Sequence, residues 1–220
     1  FENLYVEDQE ATYRNAKRYY AEIMMPFANL AKKHLDKVQG LDIEIIAPSH
    51  GQVYKDYGFI LDAYKDWTSD GVKNEVVLAY VSMHGSTKEM VDYFKSALEA
   101  KKVKVKTFNL THTDTGELAM ALVDAATVVL ATPTVLSGPH PAAVYAAYLV
   151  KALRPKTRYL GLIGSYGWGG KTVEVISDLV STLKAEILEP VIVKGLPDHQ
   201  ALVGLDKLAA GIAENHSQLD

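Results

Sequence analysis

The chain has 220 residues, of which 48% are hydrophobic and 23% are charged. This composition excludes a disordered or fibrous chain, and the length corresponds to about one and a half average domains. The formal net charge of -4 argues against a general nucleic-acid binder, and the absence of cysteine excludes disulfides, thiolate metal sites and cysteine nucleophiles.

The first part of the chain, residues 1–71, has a mainly helical pattern. Apolar and aromatic residues recur at intervals of three and four, which is typical of helices, and proline interrupts a helix. The turn signal Ser69-Asp70-Gly71 predicts a domain boundary. The predicted elements are a helical stretch from Glu10 to Lys37 with a kink at Pro26 or a division into two helices, a strand from Ile43 to Ala47 and a helix from about Tyr57 to Trp67.

The second part, residues 72–220, alternates strands with helices. Parallel strands need crossover helices, so the pattern predicts an α/β fold with a doubly wound, five-stranded parallel sheet in the order 2-1-3-4-5. The predicted strands are Val76–Val81, Val103–Phe108, Thr127–Ala131, Tyr159–Gly164 and Ile187–Val193, the last bent at Pro190. The predicted helices are Lys88–Lys101, Glu117–Asp124, Pro141–Leu153, Lys171–Leu183 and His199–Asn215.

A charge-free stretch from Ala125 to Val150 is long enough to span a bilayer. Prolines and a glycine interrupt it, and His140 lies within it. We therefore predict a strand, a loop and the start of a helix there, and no membrane segment.

The loop after the first predicted strand carries three hydroxyl groups, one glycine and no acidic side chain. It leads into a helix, whose first amides and dipole favour an anion such as phosphate. Serine and threonine are also common caps of ordinary helices, so this loop alone does not decide between the two interpretations. The candidate phosphate-binding residues are Ser82, Met83, His84, Gly85, Ser86 and Thr87.

Two further loops are expected at the same edge of the sheet, where ligands bind in doubly wound folds. The loop after strand three is stiffened by proline, and the loop after strand four combines glycines with two aromatic side chains that could stack on a planar ring. The alternatives are a rigid connection and a cover over the sheet end. The candidate ring-binding residues are Pro133, Thr134, Val135, Leu136, Ser137 and Gly138, and Ser165, Tyr166, Gly167, Trp168, Gly169 and Gly170.

The three loops in this order resemble the flavodoxin fold, and most closely the flavodoxin-like domain of flavodiiron proteins, or A-type flavoproteins. The motifs that carry the resemblance are Ser82–Thr87, Thr132-Pro133-Thr134 and Gly164–Gly170. Many members of that family carry asparagine in the middle loop where this chain has Leu136 or Ser137. The resemblance implies that residues 72–220 form an FMN-binding domain.

The first part of the chain resembles the same family. The segment Ile45–Gly51 looks like the end of its metallo-β-lactamase-like domain, in which the histidine is the last ligand of a di-iron site. The resemblance therefore implies that residues 1–71 are the closing piece of such a domain. The upstream H-x-E-x-D-H ligand motif of the family is absent, so His50 is expected to bind metal only if other ligands are supplied.

The resemblance implies an oxidoreductase that passes electrons through FMN to a di-iron site, which reduces dioxygen or nitric oxide. It also implies a homodimer, or another oligomer or redox complex, and an electron donor such as rubredoxin or reduced deazaflavin. Two alternatives stay open: a stand-alone electron carrier or redox-complex subunit without iron chemistry, and a non-redox interaction module. A chain without cysteine fits a reducing compartment, so we expect a cytoplasmic location.

Overall fold

Residues 3–219 are described by the computed structural model, in which the chain divides into two units between Asp70 and Gly71. Which known domain each unit represents stays a prediction. Among the described residues, no helix is long and apolar enough to cross a membrane.

The first unit is built from helices that change type near Pro26. Proline has no amide N–H to donate, which disrupts regular α-helix, and of the two predicted outcomes, a kink or two helices, the structure has two α-helices. A buried tryptophan, Trp67, packs against the rings of Tyr20 and Tyr64. The helical elements are α1 (Gln9–Tyr19), a π-helical turn (Tyr20–Met24), a 3₁₀ turn (Met25–Phe27), α2 (Ala28–Val38) and α3 (Gly58–Thr68).

The strand predicted from Ile43 to Ala47 is wrong. Within that range only Ile46 pairs, in an isolated antiparallel bridge with Tyr54. The amide of each donates to the carbonyl of the other, at 3.0 and 2.8 Å. The chain turns back between them and enters α3 at Gly58, so too few residues are left to extend a ladder.

The second unit is organised around a sheet of seven strands in the order β2-β1-β3-β5-β6, with β4 paired to β3 and β7 paired to β5. All pairs are parallel except β3 with β4. The predicted α/β fold class is confirmed. The strands are β1 (Lys73–Tyr80), β2 (Lys104–Asn109), β3 (Ala125–Val135), β4 (Gly138–Pro139), β5 (Tyr159–Tyr166), β6 (Glu186–Ile187) and β7 (Val191–Lys194).

The predicted count of five strands is corrected by two local features. The expected fifth strand is split into β6 and β7, which both pair with β5, because Pro190 cannot donate a ladder hydrogen bond. The second feature is an additional strand, β4, which forms a short hairpin with the end of β3. Apart from these features, the strand order agrees with the predicted order 2-1-3-4-5.

Helices cover the sheet and bury its central strands. The buried parts of the central strands are mainly apolar, which is typical of parallel strands that are buried on both faces. Their core includes Leu78, Phe94 and Ile163, all with no measurable exposure. The helices are α4 (Ser86–Ala100), α5 (Thr115–Leu122), α6 (Pro141–Leu153), α7 (Thr172–Val180) and α8 (His199–His216).

Strand β2 lies at the edge of the sheet, as its alternating lysines predicted. Lys104 and Lys106 both reach the buried carboxylate of Glu75 on β1. Burial works to raise the pKa of Glu75, but the hydrogen bonds and charges of the two lysines outweigh it and lower that pKa. The pair of lysines thus compensates a buried charge and protects the edge against pairing with other chains.

A buried histidine, His216, joins α8 to the amino-terminal end of the sheet. Its Nε2 lies 2.7 Å from the hydroxyl of Thr127, and its Nδ1 lies 2.8 Å from Oδ1 of Asn74. An amide oxygen only accepts, so Nδ1 carries the proton and Nε2 accepts from Thr127. Burial lowers the pKa of His216 to about 4, so the neutral ring is the favoured form.

Candidate functional site

The loop between β1 and α4 forms the start of a helix at the carboxyl edge of the sheet. The hydroxyl of Ser82 accepts hydrogen bonds from the amides of Gly85 and Lys88, both at 3.2 Å. Gly85 has φ +96°, a conformation that favours glycine. Helix α4 begins directly afterwards, and its first amides, those of Ser86 and Thr87, have no intrahelical acceptor. This arrangement can hold an anion.

The side chains of this loop point to different roles. Met83 and His84 are exposed, whereas Thr87 is buried and its hydroxyl lies 3.0 Å from the hydroxyl of Ser165. The side chain of Thr87 therefore connects two loops, and only its backbone amide belongs to the open start of the helix.

The predicted loop after the third strand is a tight hairpin. Strand β3 extends to Val135, and Thr134 and Val135 pair with Pro139 and Gly138 of β4. The two connecting residues, Leu136 and Ser137, have φ values of +50° and +64°. A two-residue turn with both φ values positive normally contains asparagine, aspartate or glycine. Leucine and serine are therefore strained here, and strain of this kind is found preferentially at functional sites.

The predicted loop after the fourth strand overlaps the end of β5. Ser165 and Tyr166 are the last residues of β5, and the carbonyl of Tyr166 accepts from the amide of Gly195 at 2.9 Å. Gly169 has φ +90°. Trp168 is 89% exposed, so its indole ring is available for contact with a ligand or another protein.

The three predicted loops lie together at one edge of the sheet. β1, β3 and β5 are neighbours in the sheet, and they run parallel, so their carboxyl ends coincide. Contacts join the loops directly: Thr87 meets Ser165, and the amide of Lys171 donates to the carbonyl of Ser137 at 2.8 Å.

Sequence reasoning missed two contributors to this edge, Lys171 and Thr172. The hydroxyl of Thr172 lies 2.9 Å from that of Thr134. A hydroxyl residue that opens a helix after a glycine-rich loop is a signal that could have been found. Lys171 contributes its backbone amide, a contact that every residue except proline could make, so no sequence signal exists for it.

The metal candidate, His50, belongs to the first unit. It lies in an exposed bend, lines a cavity of about 620 Å³ and has its ring 6.0 Å from the ring of Tyr19. Among residues 3–219 there is no group of three or more His, Cys, Asp or Glu side chains that could hold a metal ion. A di-iron site therefore does not fit the described part of the chain by itself.

The fold and the three loops define a flavodoxin-like α/β domain, preceded by a helical unit. No protein-family model matches the chain. The chain is 35% identical over 176 residues to a nitric oxide reductase of Moorella thermoacetica, a match that covers 79% of this chain and 44% of the relative. The chain thus spans less than half the length of that relative.

Solved structures agree with the sequence comparison. The rubredoxin oxygen:oxidoreductase of Desulfovibrio gigas matches with a TM-score of 0.90 and 25% identity, over 96% of this chain and 54% of that one. The flavodiiron protein of Giardia intestinalis has the same fold, with a TM-score of 0.85 and 20% identity over 98% of this chain and 57% of that one. The resemblance to flavodiiron proteins is confirmed: structural neighbours of that class cover nearly the whole chain.

Proposed function

We propose that the second unit binds FMN without a covalent bond and transfers electrons as the flavin domain of a flavodiiron oxidoreductase. The observation that carries the proposal is the meeting of three loops beyond β1, β3 and β5, with the open start of α4 among them. Ligands of doubly wound sheets bind at this point, where the strand order reverses between β1 and β3.

The residues at this edge fit the two ends of FMN. The amides of Ser86 and Thr87, together with the loop from Ser82 to Gly85, offer donors and a favourable helix dipole to the phosphate. The hairpin that carries Leu136 and the exposed ring of Trp168 offer backbone groups and an aromatic face to the isoalloxazine ring.

The remaining predicted contacts belong to the same proposal. The residues proposed to surround the phosphate are Ser82, Met83, His84, Gly85, Ser86 and Thr87. Those proposed to line the ring are Pro133, Thr134, Val135, Leu136, Ser137 and Gly138, and Ser165, Tyr166, Gly167, Trp168, Gly169 and Gly170.

Bound FMN would supply the electron transfer, while this chain binds and orients it and controls the access of water. In this proposal Leu136 and Trp168, both exposed at this edge, lie against the ring. Apolar and aromatic cover of this kind would disfavour added negative charge on the ring and so tune how easily it accepts electrons.

For the whole protein we propose the reduction of dioxygen or nitric oxide at a di-iron centre, in a cytoplasmic homodimer that receives electrons from rubredoxin or a similar carrier. The names of the relatives support this activity and donor. In this proposal, residues 1–71 are the end of a metallo-β-lactamase-like domain, and His50 is one iron ligand whose companions lie outside the described residues.

The direct test is flavin binding by the purified chain. FMN should bind with a defined stoichiometry, acquire a protein-induced absorbance change and be released on denaturation. Gly85→Val should reduce FMN occupancy, because a β-branched residue at φ +96° strains the loop. Gly211→Val is the matched control, since a Cβ atom there also meets open space but the backbone is helical.

Failure of the wild-type chain to bind FMN after reconstitution would refute the proposal. Metal analysis and oxygen- and nitric-oxide-consumption assays on the whole protein separate a flavodiiron enzyme from an electron carrier without iron. An iron-free whole protein that still binds FMN and exchanges electrons would favour the carrier.

A further inference from the structure

One segment contacts both of the other loops at the carboxyl edge of the sheet. It runs from Ser165, near the end of β5, to Thr172, the first residue of α7, and is called the bridging segment below. Its first residue meets Thr87, with the two side-chain oxygens 3.0 Å apart and both side chains buried. The start of α4 is therefore tied to the bridging segment.

The other end of the bridging segment holds the hairpin. The amide of Lys171 donates to the carbonyl of Ser137 at 2.8 Å, and the hydroxyls of Thr134 and Thr172 lie 2.9 Å apart. Between these contacts, a Cβ atom on Gly170 would lie 2.6 Å from Cγ2 of Thr134 and 2.9 Å from the carbonyl oxygen of Ser137. The segment and the hairpin thus approach as closely as glycine permits.

We propose that the bridging segment is a positioning element that sets the separation between the phosphate-binding loop and the ring-binding hairpin. The inference rests on the proposed function, because it assigns a role to contacts around a flavin mononucleotide site. A ligand with a phosphate at one end and a ring at the other requires two binding surfaces at a defined distance. The two hydroxyl pairs, one buried and one partly buried, can hold that distance, because hydrogen bonds are strengthened where water is excluded.

The two ends of the bridging segment predict different effects on ligand selectivity. The Thr87–Ser165 pair orients the start of α4, so its loss should weaken contacts to the phosphate and leave contacts to the ring. The Thr134–Thr172 pair orients the hairpin, so its loss should weaken contacts to the ring, which FMN and riboflavin share. Measuring both ligands therefore separates the two roles from each other and from a general loss of stability.

The experiment titrates FMN and riboflavin into the full chain and follows flavin fluorescence. Thr87→Val should weaken FMN binding by about tenfold and leave riboflavin binding almost unchanged. Thr172→Val should weaken both ligands by a similar factor of about ten, and Thr172→Ser, which keeps the hydroxyl, should restore both. Thr87→Ser, which keeps the hydroxyl, should restore FMN binding, and Thr87→Ala replaces Thr87→Val if that variant does not fold.

The matched control is Thr157→Val. Thr157 is also buried and donates its hydroxyl to a backbone carbonyl, that of Ala126 at 3.0 Å, but it lies at the opposite edge of the sheet. Both flavin affinities should be unchanged in this variant. An unaltered ratio of FMN to riboflavin affinity in Thr87→Val, or unaltered affinities in Thr172→Val, would overturn the positioning role while FMN binding itself stands. A wild-type chain that binds neither flavin would overturn the proposed function as well.

Discussion

Substitutions in the strained turn at the tip of the hairpin are predicted to stabilise the protein, whereas most substitutions destabilise a protein. Leu136 and Ser137 both have positive φ values, and Leu136 is 96% exposed. Replacing them by asparagine and glycine, Leu136→Asn with Ser137→Gly, supplies the residues that such turns favour. Few packing contacts are lost, and the contact of Ser137 with Lys171 uses the backbone carbonyl, which the variant keeps.

The magnitude follows from the two backbone conformations. The left-handed region costs an ordinary residue about 1–2 kcal/mol, and glycine removes that cost while asparagine removes part of it. Glycine also gives the unfolded chain more conformational freedom, which reduces the gain in the free energy of unfolding by about 0.4–1 kcal/mol. The double variant should therefore raise the free energy of unfolding of the second unit by about 1–2 kcal/mol. This increase corresponds to a rise in Tm of about 2–8 °C for a unit of this size.

Urea unfolding followed by far-ultraviolet circular dichroism measures this change in the ligand-free chain. Leu196→Asn is the matched control, since it exchanges another exposed leucine, 65% accessible, whose φ is not positive. That control should not gain stability. A double variant that is equal to or less stable than the wild type would refute the assignment of strain to this turn.

Three further substitutions test other parts of the second unit. Gly170→Ala should destabilise the second unit by about 1–3 kcal/mol, because the new Cβ atom would lie 2.6 Å from Thr134. Gly167→Ala, which places its Cβ atom in open space in the same loop, should change the stability little. Equal effects of the two substitutions in urea unfolding would contradict this packing. Trp168→Ala should weaken FMN binding by about 1–3 kcal/mol if the exposed ring stacks on the flavin, and unchanged affinity in a fluorescence titration would exclude that role. Because burial lowers the pKa of His216 to about 4, its contribution to stability is complete above pH 6.5 and is lost as the pH falls towards 4. Between pH 7.5 and 5 this loss of stability amounts to about 2 kcal/mol. The unfolding free energy of the His216→Gln variant should therefore depend less on pH than that of the wild type. Parallel curves for variant and wild type would contradict this role of His216.

Much of the fold was predictable because its signals are local. The helix from Pro141 to Leu153 was predicted with its observed bounds, since proline opens it and a continuous apolar pattern follows. The central strands were recognisable as apolar runs between turn signals, and the lysines of β2 marked it as an edge strand.

The predictions were wrong where pairing between separate segments of the chain decides the structure. The residues from Ile43 to Ala47 look like a strand, but a strand needs a neighbour of matching length, and the chain supplies one bridge. The hairpin of β3 and β4 was hidden because Leu136 and Ser137 are unusual residues for such a turn.

The candidate site, like the fold, has features that local sequence predicts and features that only tertiary packing decides. The order of strand, loop and helix placed the three candidate loops at one edge of the sheet, because parallel strands end on the same side. The sequence by itself thus determined the fold class, the edge that carries the candidate site and the residues that lie in its loops. The tertiary structure alone decided that Thr87 turns inward to Ser165, and that Thr172 and Gly170 hold the hairpin. These contacts join residues that are far apart in the chain, and their geometry depends on how the helices and strands pack, which no local pattern of residues encodes.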